Sequence, residues 1–184
     1  TKTRKRVVER LSREEEKRLI QAAYRDNSEH GLLIKTLFQT GTRVSEFINI
    51  PVRDFFFDET MILIHNAKWE KSRYVPILPD LAQELRTHLG DRATGYLFES
   101  NRNLPYSAGR VQQIVKEIAE KAKIKKRVYP HLLRHSVATT LLERGMPIEQ
   151  IQKFLGHSKL ETTQVYAEST TEMIKESYRK ALAE

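Results

Sequence analysis

Residues 130–156 read PHLLRHSVATTLLERGMPIEQIQKFLG, and the positions of proline and glycine in this stretch decide this part of the fold. Proline lacks a backbone N–H group and suits the first turn of a helix, whereas glycine commonly ends one. Pro130 therefore opens a predicted helix that Gly145 terminates, and Pro147 opens a second helix that ends at Gly156. We expect two consecutive helices joined by a tight turn.

The rest of the chain is predicted to be mostly helical, with one small antiparallel sheet. Ser12 and Glu15 have the spacing of a capping box, which predicts the start of a helix. Segments 61–65 and 73–78 are rich in strand-forming residues and flank a turn, and Phe55–Phe57 is a candidate first strand. Further helices are predicted at about residues 31–38, 79–89, 107–122, 160–167 and 171–182, with a short helix that Thr42 would cap and that Pro51 ends. The predicted fold class is mainly α with a small antiparallel β-sheet (α+β).

The composition indicates one globular domain with an anionic partner. The 184 residues include 32 Lys and Arg against 24 Asp and Glu, a formal net charge of +8. Excess positive charge displaces counterions from a polyphosphate, although a basic protein without such a partner would have the same composition. The absence of cysteine excludes disulfides, thiolate zinc sites and thiol nucleophiles, and it suits a cytoplasmic protein. No apolar run approaches the roughly 20 residues of a membrane helix.

Both ends of the chain are expected to lie outside the main domain. Residues 1–10 are basic and lack periodicity, which is typical of a linker, an arm along a nucleic acid or a solvated terminus. Residues 11–168 form the predicted domain, and residues 169–184 form a tail helix. Because the first residue is threonine rather than methionine, we expect an excised fragment.

Two pairs of residues are candidates for binding an anion. His131 and Arg134 share a helix face near a helix N-terminus, where backbone N–H groups favour negative charge. A guanidinium can grip a phosphate, and an imidazole can move a proton. Arg43 follows the break at Gly41, and Glu46 is placed to hold it in orientation, with an ordinary ion pair within the helix as the alternative. Each pair by itself would equally suit an ordinary helix surface.

Three further residues are candidates because of where they lie. Lys68 occupies the turn between the two predicted strands, where a lysine can reach outward or simply keep an edge strand soluble. His157 follows the helix-ending Gly156, and Tyr166 lies near the end of the next predicted helix. A lone tyrosine is ordinarily a packing residue, so its role depends on its neighbours.

The order and spacing of these residues resemble the catalytic domain of the tyrosine recombinase (phage integrase) family. The short motifs around these residues also match the family, namely TGTRVSE at 40–46, VP at 75–76, HLLRHS at 131–136 and LGHS at 155–158. The resemblance covers about residues 11–166. The family pattern is Arg, a hairpin Lys, His-x-x-Arg, a second His and Tyr, and it is filled here by Arg43, Lys68, His131, Arg134, His157 and Tyr166.

The resemblance implies cleavage and rejoining of double-stranded DNA through a 3′-phosphotyrosine. Tyr166 would attack the phosphate, Arg43 and Arg134 would bind its non-bridging oxygens, and Lys68 would protonate the leaving 5′ oxygen. A 5′-hydroxyl would then displace the tyrosine, so the bond energy is kept and neither ATP nor another cofactor is expected.

Other implied features concern the histidines and the assembly. His131 would assist proton transfer from the tyrosine, and His157 would donate a hydrogen bond to the phosphate. The sequence has no carboxylate cluster with metal-ligand spacing, so no metal is expected. Family members assemble as tetramers on DNA, and the tail helix would dock either on a neighbouring protomer or on its own domain.

The chain departs from the family pattern in two ways. Glycines often bracket the hairpin lysine in the family, whereas this chain has Ala67 and Trp69 there. Lys71 is consequently a rival to Lys68, although the distance of Lys68 from Val75 suits the family better. Family members also usually have an N-terminal core-binding domain, and we expect that the excised fragment leaves it out.

Two other functions use similar residues. A type IB topoisomerase relaxes supercoils with a similar set of Arg, Lys, Arg, His and Tyr. The HLLRH and LGH motifs of this chain favour a recombinase. A DNA-binding regulator could keep the fold without catalysis.

Overall fold

The computed structural model describes residues 9–157 and 171–183, and it has the predicted mixture of helices with one small sheet. The predicted helix at 160–167 lies outside the described residues. Within the described part of the chain, no helix has both the length and the apolar character to cross a membrane. The helices are α1 (Arg13–Asp26), α2 (Ser28–Thr40), α3 (Val44–Ile48), α4 (Pro79–Leu89), α5 (Ala108–Lys121), α6 (Pro130–Glu143), α7 (Ile148–Leu155) and α8 (Thr171–Leu182), and the strands are β1 (Phe55–Phe56), β2 (Met61–His65) and β3 (Ser72–Pro76).

Local capping explains where the helices of the N-terminal half begin. Ser12 and Glu15 form both hydrogen bonds of the predicted capping box at α1. Helix α2 begins at Ser28, earlier than the predicted residue 31, because the side chain of Asn27 accepts hydrogen bonds from the backbone N–H groups of Glu29 and His30. An asparagine cap thus extends α2 beyond its apolar segment.

The strands form one antiparallel sheet in the order β1-β2-β3. In the β2–β3 hairpin, Ile62 lies opposite Val75 and Ile64 lies opposite Arg73. Ile62, Ile64 and Val75 are fully buried, so this face of the sheet packs on the helices. Because residues two apart on a strand share a face, Arg73 also lies on the inner face. An arginine is therefore directed toward the interior.

Helix α2 runs through the centre of the core, where it packs against α1, α4 and α6. Leu33 and Leu37 are at most 1% exposed. The buried hydroxyls of Thr36 and Thr40 donate to backbone carbonyls one turn earlier, so neither hydroxyl is left unsatisfied. The helix ends at Gly41, in the middle of the molecule, and the candidate site begins there.

The C-terminal helix α8 packs on its own domain. Ile174, Tyr178 and Ala181 are buried, and the Tyr178 hydroxyl donates to the backbone carbonyl of Gln39 at 2.7 Å. The rings of Tyr178 and Phe154 also pack together, with centroids 5.5 Å apart. Of the two tail arrangements compatible with the sequence, this structure has the intramolecular one.

Candidate active site

Glu46 in α3 lies at the centre of the candidate site. Its side chain is only 1% exposed, and one oxygen accepts the backbone N–H of Arg43 at 2.9 Å. The guanidinium of Arg73 donates to both oxygens, at 2.7 and 3.1 Å. Burial would raise the pKa of Glu46, but the hydrogen bonds and charge of Arg73, the Arg43 backbone and the charge of Arg134 hold the pKa below its usual value. The carboxylate is therefore ionised at neutral pH.

Two local expectations around α3 differ from the structure. Glu46 contacts Arg43 through the backbone N–H of Arg43, and its carboxylate forms an ion pair with Arg73 instead of the Arg43 side chain. The N-cap of α3 is Arg43 rather than Thr42. Thr42 is 1% exposed, and its hydroxyl lies 3.0 Å from that of Thr40, so it contributes to the core.

Arg73 in β3 is a site residue that the sequence reasoning missed. Besides its paired bonds to Glu46, its Nε donates to the backbone carbonyl of Phe154 at 2.8 Å. Arg73 thereby joins the sheet to α3 and to the end of α7. The available signal was strand alternation, since an arginine two residues before the apolar Val75 falls on the inner face.

Arg134 in α6 is 3% exposed and joins the ends of two other helices. Its Nη1 donates to the backbone carbonyl of Gly41, and its Nη2 donates to that of Leu155, both at 2.8 Å. The closest oxygen of Glu46 is 4.0 Å away. Burial first, and then the charge of Arg43, lower the pKa of Arg134 to about 10, so it stays charged at neutral pH. Two of its five N–H groups are used, which leaves three for an anion.

Arg43 is exposed, and its guanidinium has no hydrogen-bonding or ionic partner within residues 9–157 and 171–183. It lies where two clefts meet, one of about 1070 Å³ and one of about 840 Å³. Both clefts are strongly basic. The first is also lined by Lys116, Lys125, Lys126, Arg127 and His131, and the second by Lys68, Lys71, Arg73, Lys153 and His157.

His131 and His157 line the two clefts on either side of Arg43. Partial burial first, and then the charges of Arg134 and Arg43, lower the pKa of both histidines, and Arg73 contributes at His157. Because the ordinary pKa of histidine is about 6.5, both rings are neutral at pH 7. A neutral imidazole has one nitrogen that can accept a proton and one that can donate a hydrogen bond.

The other predicted site residues have different outcomes. Lys68 is exposed at the hairpin tip, and both it and its rival Lys71 line the second cleft with Arg43 and His157. Tyr166 lies outside the described residues. Four of the six predicted residues thus line one pair of adjoining clefts, and the fifth, Arg134, is buried with its charge acting on both histidines. Their catalytic roles stay predictions.

No group of three or more His, Asp or Glu side chains suited to a metal ion occurs among the residues that the structure describes. Most of the charged side chains that line the two clefts are instead basic, which suits an anion.

Comparisons with known proteins identify the family of the chain. Residues 9–173 match the model of the phage integrase family. The tyrosine recombinase XerA of Pyrococcus furiosus is 38% identical over 182 residues, which are 96% of this chain and 63% of that protein. The chain therefore spans less than two thirds of the length of this curated relative.

Solved structures have the same fold. A crystal structure of XerA recombinase superposes with a TM-score of 0.79 at 32% identity, over 98% of this chain and 66% of that one. A lambda integrase tetramer bound to a Holliday junction superposes with a TM-score of 0.67 at 20% identity, over 86% of this chain and 49% of that one. Since the family model matches nearly the whole chain, this protein belongs to the phage integrase family of tyrosine recombinases.

Proposed function

We propose that this chain is the catalytic domain of a site-specific recombinase that cleaves and rejoins double-stranded DNA inside the cell through a 3′-phosphotyrosine. The observation that carries the proposal is the charge balance around Glu46. Arg73 neutralises this buried carboxylate, and the charges of Arg134 and Arg43 both act on the neutral imidazoles of His131 and His157. Among the residues that the structure describes, the Arg43 guanidinium has no carboxylate partner, and a phosphodiester would supply the missing negative charge.

Arg134 and Arg43 would bind the phosphate in different ways. Arg134 is fixed by two carbonyls and offers donors from a rigid position beneath the clefts. Arg43 is exposed and unpaired among the described residues, so its whole guanidinium is available to the non-bridging oxygens. A fixed donor stabilises developing charge without reorganisation during the reaction. In the proposed mechanism the scissile phosphate lies at Arg43, where the clefts meet.

Proton transfers complete the reaction. The oxygen of Tyr166 bonds to phosphorus, and its proton passes to the neutral ring of His131. The bond from phosphorus to the 5′ oxygen breaks, and Lys68 gives that oxygen a proton. His157 donates a hydrogen bond to the phosphate. In the reverse direction a 5′-hydroxyl attacks the phosphotyrosine and releases Tyr166, so the two steps conserve bonds and need no external energy.

A nicked suicide duplex tests the proposal, because loss of the short 5′-hydroxyl fragment traps the covalent adduct. We expect the wild-type chain to form this adduct and Tyr166→Phe to form none. Tyr24→Phe is a matched control, since the Tyr24 hydroxyl donates to Glu84 in a pocket away from both basic clefts. Only reversible binding by the wild-type chain would refute the enzymatic reading. Supercoil relaxation without strand exchange by the whole protein would indicate a topoisomerase instead.

The tail helix is proposed to connect four copies on DNA. In that assembly α8 would leave the surface of its own domain and dock on the same surface of a neighbouring copy. The contacts that α8 makes within one copy, including the hydrogen bond from Arg179 to the Thr60 hydroxyl at 2.7 Å, would then form between two copies. The support from relatives is the lambda integrase tetramer on a Holliday junction.

Cross-linking tests the exchange, since the chain has no cysteine of its own. Cysteines at positions 60 and 179 joined by a short thiol-reactive linker would hold α8 on its own domain. We expect the linked protein to form the covalent adduct but not to assemble or exchange strands. Normal assembly by the linked protein would exclude the exchange, and the unlinked double variant is the control.

A further inference from the structure

The tip of the β2–β3 hairpin holds Lys68 beside a tryptophan with an uncommon backbone conformation. Trp69 has φ 58°, in the left-handed region that glycine adopts readily and bulky residues avoid. The side chain at this position is nevertheless large, and it is 50% exposed. Other contacts must therefore hold the turn in this conformation.

One set of contacts ties the Trp69 ring to the body of the domain. The ring stacks on His65, with centroids 3.9 Å apart and planes 15° apart. The Nε2 of His65 lies 2.9 Å from a carboxylate oxygen of Asp54, which is only 6% exposed. The guanidinium of Arg53 lies over the Trp69 ring at 5.9 Å. The tip is thus anchored through His65 to the segment that precedes β1.

A second set of contacts orders the backbone around the lysine. The Trp69 N–H donates to the Asn66 carbonyl at 3.0 Å, which closes a four-residue turn with Lys68 at its third position. The side-chain oxygen of Asn66 accepts the N–H groups of Glu70 and Lys71, at 3.0 and 3.3 Å. The backbone on both sides of Lys68 is therefore fixed, while the lysine itself is exposed in the basic cleft.

We propose that Trp69 is a positioning residue for Lys68: its stack on His65 anchors the hairpin tip and so holds the lysine ammonium where the leaving 5′ oxygen is protonated. A flexible glycine-flanked tip would have to be ordered by the DNA, whereas this tip is ordered beforehand. Small displacements of a proton donor reduce its rate contribution strongly. The inference rests on the proposed function, because it requires Lys68 to act as the acid.

The test compares two nicked duplexes that differ in one atom. One has the natural 5′ oxygen at the scissile phosphate, and the other has sulfur in the bridging position. A thiol has a pKa of about 8.5, so its thiolate leaves without an acid when the bond from phosphorus to sulfur breaks. A residue that acts through Lys68 therefore affects cleavage of the oxygen substrate and spares the sulfur substrate.

We expect Trp69→Gly to slow single-turnover cleavage of the oxygen substrate about 10- to 100-fold and to leave the sulfur substrate within about twofold of wild type. Lys68→Ala should show the same selectivity with a larger loss on oxygen. His65→Ala should resemble Trp69→Gly, and the double variant should be no slower than either single variant, because both remove one stack. Leu104→Gly, an exposed apolar residue outside both clefts, is the matched control.

Each alternative outcome contradicts the inference in a recognisable way. Equal losses on both substrates would make Trp69 a DNA contact or a purely structural residue. Unchanged cleavage of both substrates by Trp69→Gly would show that the stack is dispensable. If wild type forms no covalent adduct with the sulfur substrate, the proposed function itself fails, and this result is separate from any effect of Trp69.

Discussion

Replacing Arg73 with methionine removes the partner that neutralises the buried Glu46. Methionine keeps a long unbranched side chain, but the two hydrogen bonds to Glu46 and the one to the Phe154 carbonyl are lost. Arg134 is the other guanidinium near the carboxylate, and its distance of 4.0 Å is too long for a good hydrogen bond. Breaking a buried ion pair by removing one partner costs about 3–5 kcal/mol. Because the Arg73 side chain is 13% exposed, we expect the lower end of that range, about 3 kcal/mol.

The loss should also depend on pH. The pKa of Glu46 in the folded wild type is below the ordinary value of 4.5, so the ionised carboxylate contributes stability above about pH 4.5, and this stability is lost as the pH falls through the lower folded pKa. Without Arg73, burial dominates and raises the pKa of Glu46. The variant then loses stability as the pH rises above 4.5. The difference in the free energy of unfolding is therefore expected to be larger at pH 7 than at pH 4.

Urea unfolding followed by circular dichroism at both pH values measures this difference. Lys35→Met is the control, because the pairs of Lys35 with Asp80 and Glu84 lie at the surface and such pairs contribute about 0–1 kcal/mol. A loss below about 1 kcal/mol for Arg73→Met, or a loss of the same size at both pH values, would refute the view that Arg73 compensates Glu46.

Three further predictions follow from particular contacts. Gly41→Ala should destabilise the protein by about 1–2 kcal/mol in urea unfolding, because φ is +57° and a Cβ would lie 3.0 Å from the Phe154 ring, and an unchanged midpoint would contradict the strain. In NMR titrations His131 and His157 should have midpoints below pH 6.5, and Arg43→Ala should raise both, since the charge of Arg43 lowers each pKa; midpoints that do not move would exclude this coupling. Tyr178→Phe should cost about 1 kcal/mol by removing the buried bond to the Gln39 carbonyl, measured by thermal unfolding, and a neutral effect would indicate that α8 is not held by this bond.

Much of the secondary structure follows from local sequence signals. The predicted bounds at 79–89 and 171–182 coincide with α4 and α8, and α6 begins at the predicted Pro130, because proline, glycine and cap residues act within one turn of chain. The order of the site residues is also a property of the sequence. The Asn27 cap was available to the same reasoning, but the apolar segment after it gave a later start for α2.

The tertiary structure alone decided how the site is held together. Glu46 lies three residues after Arg43 along the chain, but only the tertiary structure brings Arg73 of β3 to the Glu46 carboxylate. Likewise, the sequence predicts only that Arg134 lies on a helix face. Its hydrogen bonds to the ends of α2 and α7 depend on how these helices meet in the tertiary structure. Local signals act between neighbours along the chain, whereas these ion pairs, the buried carbonyl contacts and the docking of α8 depend on which surfaces meet across the core.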